Sequence, residues 1–115
     1  MKEIKAYIQR YCVNKVVYAL EKAKAPGITI VEIHPVGYGY DPNYFALRFN
    51  DAFKRYGHVS VVKLEVVCDD QEAERLVQTI RDECRTGGKG DGRIFVSEVS
   101  TAIRIRDGAR GAEAL

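Results

Sequence analysis

The run Thr86-Gly87-Gly88-Lys89-Gly90-Asp91-Gly92-Arg93 places four glycines within six residues. Without Cβ atoms in the way, backbone N–H groups there can turn toward one point and cradle phosphate oxygens. Lys89 or Arg93 can supply the counter-charge, the arginine with a bidentate fork. The run is not a Walker loop: the order G-x-x-x-x-G-K-S/T is missing and no helix start follows it. The same glycines also suit a plain tight turn from helix to strand. A second cationic group is Arg104 with Arg106. On a strand, residues i and i+2 share a face, so both guanidinium groups would project together and repel unless an anion lay between them. A solvated edge strand would carry the same pair. His34 and His58 are the two histidines, and no nucleophile–base pair or carboxylate dyad stands at a recognisable spacing. The sequence therefore points to binding rather than catalysis. Cys12, Cys68 and Cys84 form no CxxC pair and no zinc-ligand spacing. They read as small buried hydrophobes in a reducing cytoplasm, with no metal.

These groups need a scaffold, and the periodicity supplies one. Residues 2–9 alternate Ile4, Ala6 and Ile8 with Lys5, Tyr7 and Gln9, the period of a strand. Asn14 can cap a helix through Val13, Val16, Val17 and Leu20, stopped by Pro26-Gly27. Residues 28–34 are β-branched, and 59–67 give the strongest strand signal in the chain. Asp69 and Glu72 resemble a capping box before Ala73, Leu76, Val77 and Ile80. Residues 93–99 and 101–106 read as short strands, and 107–115 as loose chain. The order β-α-β, long segment, β-α-β predicts one domain over residues 1–115: an α+β, ferredoxin-like βαββαβ sandwich with a long central loop and a short extra C-terminal strand.

Composition agrees with a globular domain. Of 115 residues, 46% are hydrophobic and 30% charged, which excludes a disordered chain. Eighteen Lys and Arg against sixteen Asp and Glu leave a net charge of +2, too little to drive general binding to nucleic acid. RNA-recognition domains share the element order, but their central-strand aromatic pattern is absent. No stretch reaches the length of a membrane span, and the charged start Met1-Lys2-Glu3-Ile4-Lys5 lacks a signal-peptide core. The expectation is a cytoplasmic protein, not integral to a membrane.

The combination of motifs is more specific than its parts. TGGKGDGRIFV (Thr86–Val96) followed by IRIRDG (Ile103–Gly108) closely resembles the nitrogen regulatory protein P-II family, whose pattern is TGxxGDGKIFV followed by an IRIRTGE-like tail. MKEIKAYI and the GITIVEI strand match its N-terminal half. The resemblance implies a homotrimer of ferredoxin-like protomers that binds adenine nucleotides (ADP, AMP or ATP) between subunits. It assigns phosphates to Gly87, Gly88, Gly90, Asp91, Gly92 and Arg93, with Arg104 and Arg106 reaching them across the shared cleft; Lys89, a nucleotide-binding candidate from its charge, stands at a place that does not match the family pattern. It assigns the adenine to Thr29 and Val66, with Ile8 or Tyr7 on the wall.

The resemblance stops in the middle. Val36-Gly37-Tyr38-Gly39-Tyr40-Asp41 replaces the family's GFGRQ-like start, so the glutamine that serves magnesium and 2-oxoglutarate has no evident counterpart. The uridylylated tyrosine has no matching context; Lys54 stands near that place. Seven aromatic residues gather here instead: Tyr38, Tyr40, Tyr44, Phe45, Phe49, Phe53 and Tyr56. The Phe spacing of four, with Asp41-Pro42 to start and Gly57 to end, predicts a helix over 42–56 with an aromatic stripe. That stripe would pack on the protein itself or meet a partner. The expected function is a non-enzymatic regulator in which a nucleotide switches an effector loop, about 37–57, to control an unidentified transporter or enzyme. Inorganic-carbon metabolism, with bicarbonate as a co-effector, is the setting that the departures favour. Classical sensing of ATP with 2-oxoglutarate is the alternative, as is a metal- or transport-linked relative.

Overall fold

A computed structural model describes residues 1–33 and 61–115 of the chain. The aromatic segment and both histidines lie outside the described residues. The elements are β1 (Lys2–Gln9), a 3-10 turn (Arg10–Cys12), α1 (Val13–Lys22), β2 (Thr29–Glu32), β3 (Val61–Cys68), α2 (Asp70–Cys84), β4 (Arg93–Glu98) and a 3-10 turn (Gly111–Ala114). The four strands form one antiparallel sheet in the order β2-β3-β1-β4. With α1 and α2 packed on each other and α2 on β1, this is the expected α+β, ferredoxin-like arrangement.

The period-two pattern decides which face of the sheet is buried. Ile4, Ala6 and Ile8 stand opposite Val66, Leu64 and Val62, and all six are buried under the helices. Val16 and Leu20 of α1 and Ala73, Leu76 and Ile80 of α2 close the core from above. Truncating any one of the large aliphatics to Ala should cost about 2–5 kcal/mol. The opposite sheet face carries Lys5, Tyr7, Lys63, Glu65, Arg93 and Phe95. It is laced by Lys63–Glu65 at 2.8 Å and an edge-to-face contact of Tyr7 with Phe95 at 5.9 Å.

Several local expectations need correction. Helix α1 is capped at Cys12 and places Asn14 inside its first turn, because the 3-10 turn that ends β1 already supplies the bend. It ends at Lys22, ahead of Pro26, with Ala23 as C-cap and Lys24 next, whose φ of 59° is left-handed. Lys24 N donates to Glu21 O at 2.9 Å and Ala25 N to Leu20 O at 3.0 Å, the paired bonds of a Schellman ending. Arg75 of α2 adds Nη1 to the Ala23 carbonyl at 2.7 Å, pinning the two helix layers together. Asp69 is the N-cap of α2, but its side chain makes no capping bond; Glu72 turns to Arg75 instead of closing a capping box.

The extra C-terminal strand is absent. Residues 101–110 form a turn closed by an isolated bridge between Ile103 and Arg110. Arg104 N donates to Ala109 O at 2.9 Å and Gly108 N to Arg104 O at 2.8 Å, and Gly108 and Gly111 take positive φ. Arg104 and Arg106 therefore stand on a turn and not on one face of a strand. Nor is 107–115 loose, since it ends in the second 3-10 turn.

Candidate functional site

The glycine run begins where α2 ends, at Cys84, and delivers the chain to β4 at Arg93. Asp91 folds it. Its carboxylate accepts from the N–H groups of Thr86 and Gly87, both at 2.8 Å, and from the Thr86 hydroxyl. The Thr86 oxygen in turn accepts from Gly88 N at 3.1 Å. Led by the Thr86 side chain, these donors hold the Asp91 carboxyl below its ordinary 3.8. Gln9, the last residue of β1, donates Nε2 to Gly90 O at 2.6 Å and anchors the loop to the sheet.

Two N–H groups expected to face a phosphate are thus already spent: Gly87 on Asp91, and Gly88 on Thr86. Among the described residues, the N–H groups of Lys89 and Gly90 have no acceptor, and the Lys89 ammonium forms no ion pair. An anion meeting this loop would find those two donors at its tip. Gly92 is required by geometry: φ is +100°, and a Cβ there would lie 2.9 Å from the Tyr7 carbonyl carbon and closer still to its oxygen. Behind the loop, on the helix side, lies a cavity of about 400 Å³ lined by Ile80, Cys84, Arg85, Asp91, Arg93 and Ile94, among others.

The tail forms a second cationic element. Arg104 points its Nε and Nη2 at Asp107, at 2.9 and 2.7 Å, and its Nη1 at the Glu113 carbonyl at 3.0 Å. Arg106 is largely exposed, with Nη2 3.9 Å from Asp107. The chain then reaches Leu115, which shares a cavity of about 250 Å³ with Glu3, Pro26, Gly27, Thr29, Glu65 and Val67.

The expected site residues therefore fall into three groups. Thr29 lies on β2 at one edge of the sheet, where its cavity is shared with Leu115, and the glycine loop with Arg93 leads into β4 at the other edge; Arg104 and Arg106 face Asp107 within the tail turn. Three strand spacings, about 14 Å, separate the two edges. Val66 joins none of them. It is buried opposite Ile4 in the core, and its neighbour Val67 lines the cavity with Thr29. Ile8 is likewise core, whereas Tyr7 lies on the open face. Reading the sequence also missed Gln9, Thr86 and Asp107. Thr86 and Asp107 are short polar residues in glycine-flanked turns, the sequence signal for side-chain-to-backbone bonds. Among the described residues there is no group of three or more His, Cys, Asp or Glu placed to hold a metal ion, and no helix long and apolar enough to cross a membrane.

A ferredoxin-like sandwich with a glycine loop folded by Asp91 at one sheet edge and a cationic turn in its tail defines a ligand-handling domain. Comparison with known proteins gives its family. The pattern described as nitrogen regulatory protein P-II matches residues 1–109. The chain is 37% identical to nitrogen regulatory protein P-II of Rhizobium meliloti (strain 1021), 36% to that of Bradyrhizobium diazoefficiens and 32% to that of Pyropia yezoensis, each over 115 residues and the whole of both chains. The chain belongs to the P-II family of non-enzymatic signal-transduction regulators. The likeness runs through the central segment as well, further than the motifs alone reach.

Proposed function

We propose that the chain acts as a homotrimeric regulator holding an adenine nucleotide between neighbouring copies. One protomer supplies Thr29, Arg104 and Arg106, and the next supplies the Gly87–Gly92 loop and Arg93. The observation that carries this reading is that Thr29 on β2 and the glycine loop leading into β4 lie at opposite edges of one sheet. A nucleoside phosphate touching both is served better by two copies placed edge to edge than by one. Such a contact is heterologous and makes a ring where its rotation closes, and the family resemblance sets the number at three. Phosphate oxygens would meet the Lys89 and Gly90 N–H groups and the Arg93 and Arg106 guanidiniums. Charge-assisted bonds of this kind contribute roughly 1.5–3 kcal/mol each.

The output of the switch is control of a target protein through the chain between β2 and β3. That segment leaves the strand bearing Thr29 and returns at Val61, so a base at Thr29 is joined to it through one short strand. A nucleotide controls the target only through unequal affinity for the two forms of that segment. Calorimetry with ATP, ADP, AMP and cyclic AMP, each with and without bicarbonate or 2-oxoglutarate, identifies the effector set and tests the inorganic-carbon setting. Light scattering should give three times the chain mass. A monomer that still binds nucleotide contradicts the shared cleft.

A further inference from the structure

The cationic tail contains an anion of its own. Asp107 fills the Arg104 fork from two sides, with Nε at 2.9 Å and Nη2 at 2.7 Å, and stands 3.9 Å from Arg106 Nη2. Both arginines that the nucleotide reading assigns to phosphate therefore already face one carboxylate. The Arg104 guanidinium, and then the Ala109 N–H, hold that carboxyl below its ordinary 3.8, so it is ionised at neutral pH. The IRIRTGE-like tail of the family has Thr at this place.

The turn does not need this charge to keep its shape. Arg104 N to Ala109 O, Gly108 N to Arg104 O and Gly111 N to Ala102 O close the backbone on their own, at 2.9, 2.8 and 3.0 Å. The Arg104 and Asp107 side chains are 36% and 43% exposed, where an ion pair adds little stability. What the carboxylate does change is the field that an incoming phosphate meets. Each further phosphoryl group brings more negative charge toward it.

We propose that Asp107 is a specificity-determining residue of the nucleotide cleft. It occupies the Arg104 fork as a built-in anion and biases the site toward adenine nucleotides with few phosphates, AMP ahead of ATP. This rests on the nucleotide reading given above.

Asp107→Asn removes the charge but keeps an oxygen for the Ala109 N–H; Asp107→Thr restores the family residue and serves as a second, smaller replacement. Calorimetry of AMP, ADP and ATP against the full chain reads the effect. The ratio of ATP affinity to AMP affinity should rise about five- to tenfold in both variants, with ADP between, and the rise should shrink at high salt. Equal gains for all three nucleotides, or no change in their ratio, overturn the inference while leaving nucleotide binding intact. Failure of wild type and variants alike to bind any of the three overturns the nucleotide reading, and this inference with it.

Discussion

Gly92→Ala should be among the most damaging small substitutions in the chain. At φ +100° the new side chain pays backbone strain of about 1–3 kcal/mol. Its Cβ would also lie 2.9 Å from the Tyr7 carbonyl carbon, where ordinary contact begins near 3.4 Å, and the obstacle is backbone that cannot swing away. The start of β4 must move off β1 by roughly half an ångström or more. That movement loosens the first β1–β4 pair, Tyr7 with Arg93, and the Gln9–Gly90 bond, at about 1 kcal/mol each. The sum is about 3–5 kcal/mol, a large share of the roughly 10 kcal/mol expected for a domain of this size. Gly87→Ala is the control. Its φ of +91° carries similar strain, but no atom lies within 4 Å of the added carbon, so it should cost only about 1–2 kcal/mol. Urea unfolding followed by far-ultraviolet circular dichroism, at one fixed protein concentration, reads both, with the Gly92 midpoint about 2 M below wild type. Equal small losses for the two variants would refute the backbone-collision argument.

Three further outcomes follow from local chemistry. Lys24→Gly should stabilise the protein by about 0.5–1 kcal/mol, read as a higher thermal midpoint, because glycine takes the left-handed Schellman position without the Cβ penalty. The Asp91 carboxyl is depressed in the fold, so its contribution is present above its ordinary 3.8 and is lost as pH falls through its lower folded value. Protection factors at the Thr86 and Gly87 amides, with the intrinsic pH dependence of exchange divided out, should fall below about pH 4 and stay constant above about pH 5. Burial, and then the neighbouring Cys12, push the Cys84 thiol up to about 12 from an ordinary 9.0. Its contribution is therefore present below pH 9 and is lost as pH rises from there toward 12; Cys84→Ser should flatten that part of the alkaline unfolding profile.

The sheet and both helices were legible because each has a strict period. Ile4-Ala6-Ile8 alternates, β3 runs apolar, and Leu76 and Ile80 repeat at helical spacing. The tail was not legible for the same reason. IRIR alternates like a strand, but glycines at 108 and 111 with positive φ turn the chain instead. The backbone bonds Arg104 N to Ala109 O and Gly108 N to Arg104 O close that turn, and such local closure overrides a two-residue pattern. The glycine loop was legible as a phosphate cradle in composition, not in detail. Which N–H groups remain to face a ligand depends on Asp91 taking the Thr86 and Gly87 donors, which no spacing rule reveals. Val66 was misplaced because a strand's two faces differ by one residue: Val67 is on the open side and Val66 in the core. That Thr29 and the loop occupy opposite edges follows from the sheet order alone.

Subunit mixing tests the shared cleft most directly. Arg93→Ala damages only the loop half of the proposed site, and Arg106→Ala only the tail half. Each variant alone should lose nucleotide affinity by about tenfold or more. If the halves come from neighbouring protomers, co-assembly of the two in equal amounts rebuilds intact clefts wherever an Arg106→Ala chain offers its loop to the tail of an Arg93→Ala chain. Random mixing predicts wild-type affinity in about a quarter of all clefts. If both halves belong to one chain, every cleft in the mixture carries a defect, and recovery of no high-affinity sites would contradict the account.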